Sequence, residues 1–333
     1  MNKKIEKAVS KAKKILSVEV TRKTFLKTLA AGGAFLAFSS NTAKKAFAQN
    51  TKSIGPRTRR AVSTDYDLTA VTGKDIEMIT RKCVDLLGGM GRFVKSGDTA
   101  VVKPNIGWNR APEYAANTNP LVVATVVKMC FENGAKTVKV FDNTCNDRKL
   151  CYVNSGISQA AKDAGATVLY MDDWKYSPAK FLKTDALMQD WPTYRDAIEC
   201  DAFINVPIAK THGSGTLTLS IKNLMGTVGG NRGQMHWEMD KKLAELVNFI
   251  QPDLNIIDAV NILTANGPRG GNLADVARRD TIIASTDPVL ADSYASKTLF
   301  NIDGAKIPHI KRSAESGAGV LFSGAANIRV EKI

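Results

Sequence analysis

NTNPLVVATVVKMCFENGAKTVKVFDN, residues 117–143, carries the pattern on which the fold turns. Asn119 can cap a helix, and Pro120 suits the first turn because the N–H it lacks would be unpaired there anyway; the apolar run then carries the helix to about Asn133. Thr137 to Phe141 read as a short buried strand, and Asp142 and Asn143 stand in the loop that leaves it. The order helix, strand, polar loop recurs on both sides. Upstream, a helix is expected to begin near Thr72 with Asp75 as its capping partner, to show Ile76, Ile79, Cys83, Leu86 and Leu87 on one face, and to precede the strand TAVVKPN at 99–105. Downstream, SGISQAAKDAG at 155–165 reads as a helix and ATVLYM at 166–171 as a strand.

That alternation indicates an α/β fold, with a mostly parallel sheet covered by helices on both faces and a Rossmann-like layering. No dinucleotide fingerprint accompanies it. GGMGRF lacks the strand-to-helix setting, and GPRGG contains no phosphate-loop motif, so both read as tight turns. Right-handed crossovers put the loops after the strands along one edge, where KPN, FDN, MDDW and NVPIAKTH would converge.

Residues 201–239, DAFINVPIAKTHGSGTLTLSIKNLMGTVGGNRGQMHWEM, are the richest in chemistry. Ala202 to Val206 form an apolar strand, Pro207 interrupts it, and Lys210, His212, Lys222, Asn223, Arg232 and His236 follow among small residues. Two of the chain's three histidines lie here. A packing surface does not need that mixture of cations and amides, whereas a pocket for an anionic or metal-bound ligand does. Lys103, Asn105, Lys210, Lys222, Asn223 and Arg232 are the candidate ligand-binding groups, and His212, His236 and Asp142 the candidate catalytic ones. Histidine suits proton transfer because its ordinary pKa of about 6.5 lies near neutrality. A mixed divalent-metal site would need Asp142 and Asp258 beside His212 and His236, since stable sites recruit three or four donors. The clustered cations favour an anion, with or without a metal.

The second half continues the pattern. MDKKLAELVNFIQ turns Leu243, Leu246, Val247 and Ile250 inward, DLNIIDAVNIL is a strand with Asp258 on it, and Asp287 and Pro288 start a helix after TIIAST. NIRVEKI is the last strand. Residues 172–199 alternate less and hold more aromatics; they read as an insertion that serves either as a lid or as surface packing, with Asp172 and Asp173 on a surface turn.

The formal charge of +14 is unevenly spread. Residues 1–48 hold 11 Lys/Arg and two Asp/Glu, so residues 49–333 hold 35 and 30. Without a sustained basic stripe outside the first segment, nucleic acid is not an expected partner. The first segment reads as an export leader: a Lys-rich start, an apolar stretch from Thr28 to Phe38 too short to span a bilayer, and Ala46 and Ala48 placed for cleavage after Ala48. TRKTFLK resembles a twin-arginine leader, except that Arg22 is followed by Lys23, which lacks the guanidinium fork. The expected product is periplasmic or otherwise exported, with no membrane span; the alternative for the first segment is a basic amphipathic helix that stays on a membrane surface. Residues 49–70 then read as a linker or N-terminal arm, and 71–333 as one α/β domain.

VVKPNIG at 101–107, the FDN loop, NVPIAKTH at 205–212, SIKNLMG at 220–226, the surroundings of His236, NIIDAV followed by NGPRGG, and ASTDPVLADSYA at 284–295 together resemble the family catalogued as domain of unknown function 362, over roughly residues 70–330. The resemblance implies export or fusion to ferredoxin-like modules and a setting in anaerobic or redox metabolism. A fused iron–sulfur module is missing from this chain: Cys83, Cys130, Cys145, Cys151 and Cys200 do not form a ferredoxin run. Cys145 and Cys151 are the one near pair, open to a disulfide, to metal ligation or to remaining thiols. Two functional classes follow. One is an exported enzyme acting on a small anionic or oxygen-rich organic substrate with Lys210 and Arg232 binding charge and His212 or His236 moving a proton; the other is a ligand-binding accessory of a redox partner.

Overall fold

The segment at 117–143 folds as read. The Asn119 side chain accepts a hydrogen bond from the Leu121 amide and opens the helix Pro120–Glu132. In the computed structural model, residues 52–333 are described, and they form one compact unit. The leader, with Ala48, Arg22 and Lys23, lies outside the described residues. No helix among the described residues is long and apolar enough to cross a membrane.

In chain order the strands are β1 (Leu68–Thr72), β2 (Thr99–Pro104), β3 (Thr137–Val140), β4 (Thr167–Val168), β5 (Tyr176–Pro178), β6 (Pro192–Tyr194), β7 (Ala202–Val206), β8 (Ile208–His212), β9 (Thr216–Thr218), β10 (Leu254–Leu263), β11 (Val276–Ser285) and β12 (Ile328–Lys332). Ten of them make one sheet in the order β12-β1-β11-β10-β7-β2-β3-β4, with β8 attached to β10 and β9 to β8. From β10 to β4 the neighbours are parallel. β11 runs antiparallel to both β10 and β1, and β12 closes the edge parallel to β1.

Alternate side chains explain why these strands read as unbroken apolar runs. Phe203 and Val101 pack on one face, under the helices Met239–Ile250 and Pro288–Phe300, while Ala202, Ile204, Ala100 and Val102 pack on the other, under Ile76–Asp85 and Pro120–Glu132.

Three boundaries differ from the sequence reading. Thr72 ends β1 rather than starting a helix; the helix begins at Ile76 with Asp75 as its N-cap, accepting from the Met78 amide. LTAVT, counted as the end of the arm and a helix start, is a strand buried between β11 and β12. The expected strand 166–171 shrinks to β4. The excursion 172–199 carries the two-stranded ribbon β5–β6. Tyr176, Met188 and Tyr194 bury themselves in the core, and Trp191 Nε1 donates to the Gly229 carbonyl at 3.0 Å, fixing the ribbon to the stretch between Lys222 and Arg232.

The cavity arises from the way β7 continues. Pro207 has no N–H for the ladder, so the chain bends there and carries on as β8. β2 pairs with β7 as far as Pro104–Val206 and then stops, whereas β8 stays attached to β10 at Asp258 and Leu263. The wedge between the end of β2 and the continuing β8 holds the polar side chains.

Candidate functional site

Lys103, near the end of β2, is fully buried and cannot stay charged there without compensation. Its Nζ donates to Asp142 Oδ1 at 2.6 Å, to the Pro104 carbonyl at 2.8 Å and to Asn223 Oδ1 at 3.2 Å. The other Asp142 oxygen accepts the Ile106 amide at 2.6 Å. From there a chain of amides leads to a second lysine: Asn105 Nδ2 donates to Asn223 Oδ1 at 3.0 Å, and Lys210 Nζ donates to Asn105 Oδ1 at 2.9 Å and to the Ala116 carbonyl at 2.5 Å. Asn223 is itself locked by donating to Asn205 Oδ1 at 2.9 Å. The network binds β2, β3, β7 and β8 at their C-terminal ends.

These groups wall a cavity of about 330 Å³ that also takes in His212, His236, Lys222, Asn143, Cys145 and Thr218, with Trp108, Met225 and Pro268 as its less polar side. The two histidine rings stack with centroids 5.8 Å apart and planes inclined by 22°. His212 Nδ1 accepts the Gly215 amide at 3.2 Å, so the neutral ring carries its proton on Nε2. Lys222 Nζ rests against two thioethers, Met225 Sδ at 3.1 Å and Met239 Sδ at 3.3 Å.

The structure thus gathers Asn105, Asp142, Lys210, His212, Lys222, Asn223 and His236 around one space, with Lys103 supporting it from below. Arg232 opens the short helix Arg232–His236 that ends on the cavity. Asp258 does not join them. It is buried in β10, where Oδ2 accepts the Asn119 amide at 2.7 Å and Oδ1 the Val260 amide at 3.0 Å; burial pushes its pKa up to about 6. Its work is to hold the start of the helix Pro120–Glu132. The four-donor metal set His212, His236, Asp142 and Asp258 therefore does not assemble. Among the described residues no group of three or more His, Cys, Asp or Glu side chains is arranged to hold a metal ion.

All five cysteines are free thiols, of which Cys145 is exposed and the other four buried. Sequence reasoning did not place Cys145 or Thr218 in the cavity, nor did it find Asp292. That carboxylate, fully buried in the helix Pro288–Phe300, accepts the Ser220 amide at 2.7 Å and the Ile221 amide at 2.9 Å, and so caps the four-residue helix Ser220–Asn223 that presents Lys222 and Asn223. Burial pushes its pKa up to about 7. The available signal was a single carboxylate among the small and apolar residues of VLADSYAS.

Burial, reinforced by Lys222 and Lys103 and opposed by Cys145 and Asp142, pulls the Lys210 ammonium down to about 7. Burial and the neighbouring cations Lys222 and Lys210, with His236, pull His212 down to about 3. The first has a consequence for stability. Between its folded value near 7 and an unfolded value of about 10.4 the unfolded chain binds the extra proton, so stability is gained as pH rises through that window. The buried thiols Cys83, Cys130 and Cys200, pushed up to about 12, give the opposite slope once an unfolded thiol ionises above about 8.5. Denaturant unfolding of wild type and Lys210→Met between about pH 7 and 8.5 should therefore diverge, the wild-type equilibrium gaining up to roughly tenfold per pH unit relative to the variant. Parallel pH profiles would show that Lys210 stays charged.

An α/β sheet with a lysine- and amide-lined cavity at its strand ends defines the class. The chain belongs to the family described as Domain of unknown function (DUF362), which matches residues 100–297 and thereby covers the whole cavity network. It is similar to a thylakoid-associated protein of Synechocystis sp., with 28% identity over 237 residues, 68% of this chain and 71% of that protein. Among solved structures it aligns with the lactate racemase apoprotein from Thermoanaerobacterium thermosaccharolyticum at 8% identity and a TM-score of 0.38, over 76% of this chain and 57% of the other. The chain spans a little over half the length of that structure.

Proposed function

We propose that this protein binds a small oxygen-rich organic anion in the cavity between β2 and β8 and catalyses a proton-transfer step on it. One observation carries the reading: Lys210, Lys222, His212 and His236 all border the space, while Asp142, the carboxylate among its lining residues, is committed to Lys103 and the Ile106 amide. Basic side chains gathered around one cavity, with no uncommitted carboxylate among its lining residues, favour a ligand that brings negative charge or accepts their hydrogen bonds. Lys210, brought near neutrality, can accept a proton, and His212, neutral with its proton on Nε2, can donate a hydrogen bond to an oxygen as it becomes negative. A non-catalytic accessory of a redox partner would use the same cavity for binding alone.

Mass spectrometry of small molecules released from natively isolated protein, followed by calorimetric titration of the compounds found, tests the reading. A carboxylate or related anion is expected, with affinity at least about tenfold weaker in Lys222→Met. A neutral ligand whose affinity ignores Lys222 would sink it, and stoichiometric binding without turnover would favour the accessory role.

Export belongs to the same proposal and rests on the leader and its AFA site. The mature chain should begin after Ala48, as read by N-terminal sequencing from the native host. A full-length cytoplasmic protein would overturn that part.

A further inference from the structure

We propose that Lys210 is a nucleophilic amine that forms an imine with a small oxo acid, a carboxylate bearing a ketone or aldehyde carbonyl, bound in the cavity. The proposal rests on the anion reading above and adds to it the substrate class and the covalent step.

Lys103 and Lys210 make the case by contrast. Lys103 Nζ lies 2.6 Å from a carboxylate oxygen, Asp142 Oδ1, and so has a counter-charge in direct contact. Lys210 is as deeply buried, yet its hydrogen-bond acceptors are two neutral oxygens, Asn105 Oδ1 and the Ala116 carbonyl. Those two acceptors take two of the three tetrahedral positions around Nζ that Cε leaves. In a neutral amine both N–H bonds are then used, and the remaining position is the lone pair of a residue that lines the cavity. Burial and the two neighbouring lysines favour that neutral form, the arrangement by which proteins make lysine nucleophilic. With a pKa near 7 in place of about 10.4, the unprotonated fraction at neutral pH is greater by more than about a hundredfold.

The surroundings suit the rest of such a substrate. Lys222 supplies positive charge, and the histidine pair hydrogen bonds, for a carboxylate. Thr218 Oγ1 is buried at the cavity wall without a hydrogen-bond partner among the described residues, which leaves it available to a ligand oxygen. A space of about 330 Å³ admits an acid of a few carbons. The step balances without an oxidant or reductant: the Lys210 nitrogen bonds to the carbonyl carbon, the carbon–oxygen bond breaks, and the oxygen leaves as water with the two amine hydrogens. The imine nitrogen then takes up a proton from solvent, and the resulting iminium withdraws electrons from the adjacent carbon, which eases removal of a proton or of a carbon group there.

Borohydride trapping with pyruvate tests this on the whole protein. Incubation near pH 7.5, reduction and peptide mass spectrometry should find one stoichiometric adduct, on the peptide containing Lys210, formed at least about tenfold faster than on any exposed lysine. Lys210→Arg, which keeps a cation, and Lys210→Met, which keeps the volume, should both lose it while retaining the native near-ultraviolet dichroism. Lys222→Met keeps the amine and should slow trapping by pyruvate. Adducts spread over surface lysines, or unchanged in Lys210→Arg, would overturn the assignment, as would acetone labelling Lys210 as fast as pyruvate does. A pyruvate-dependent rise in melting temperature without an adduct at Lys210 would overturn the imine and leave the anion site standing. Absence of both would remove both.

Discussion

Gly226→Ala should dismantle the candidate site and cost about 3–5 kcal/mol of stability, more than any other single methyl group added at the cavity. A Cβ built at Gly226 lies 1.6 Å from Asp142 Oδ1 and 2.6 Å from Lys103 Nζ, so it cannot be accommodated unless the ion pair moves. Neither partner has anywhere to go: Lys103 and Asp142 are buried, and the second Asp142 oxygen is bound to the Ile106 amide. Displacing the carboxylate leaves an ammonium in the core without its counter-charge, the circumstance in which breaking a buried pair is most damaging. Urea unfolding measures the loss. The cause is checked by repeating the substitution in a Lys103→Met/Asp142→Ala background, where the added methyl should cost much less because the group it would strike is gone. An equal loss in both backgrounds would locate the damage in the backbone at 226 instead.

A loss of similar size, about 3–5 kcal/mol, is expected from Arg57→Ala at the opposite end of the molecule. Arg57 sits in the arm ahead of β1, yet its guanidinium is buried and pairs with Asp253 just before β10. It also donates to the Gln251 carbonyl at 2.7 Å and the Asp201 carbonyl at 3.0 Å. Asp253 in turn accepts the Phe203 amide at 2.7 Å, so one arginine ties the arm to the entrances of β7 and β10. Alanine would leave the Asp253 carboxylate buried and short of its partner. Replacing both residues by apolar ones should be milder, since then no charge is stranded. By comparison, removing Arg92 from its exposed pair with Asp65 should change stability by under about 1 kcal/mol. An unaltered denaturation midpoint for Arg57→Ala would mean that the arm is not part of the cooperative unit.

What could be read from sequence divides along physical lines. The helix Pro120–Glu132 was legible because Asn119 and Pro120 mark its start by local chemistry, and β7 because a run buried on both faces is apolar at every position but Asn205. β1 was missed because LTAVT is five residues long and follows a polar arm, so neither period nor punctuation separates it from its surroundings. The antiparallel direction of β11 was equally hidden, since its buried half, TIIAS, is covered on both sides and carries no record of which way it runs. At the site, residue type and position after a strand sufficed to bring Lys103, Asp142, Lys210 and His212 together. The same rule failed for Asp258, whose carboxylate answers the Asn119 amide instead of the cavity. Asp292 had no local mark of its role: it caps a helix more than seventy residues earlier in the chain.

If the cavity holds a ligand as proposed, the division of β7 and β8 at Pro207 bears on how the preference for it could change. Lys210 and His212 stand on β8, held between β9 and β10, and Lys103 on β2, held between β3 and β7. The geometry is therefore set when the sheet forms, and the ordering entropy is spent in folding instead of at each encounter with a ligand. Such a preorganised cavity selects by fit from the free state. New specificity reached through its strand-borne side chains would also alter the folding free energy, whereas the exposed Cys145 loop and the segment around His236 can vary with little penalty. On the proposed reading, drift in ligand preference would be channelled to the rim, with the lysine and amide floor held fixed by the requirement to fold.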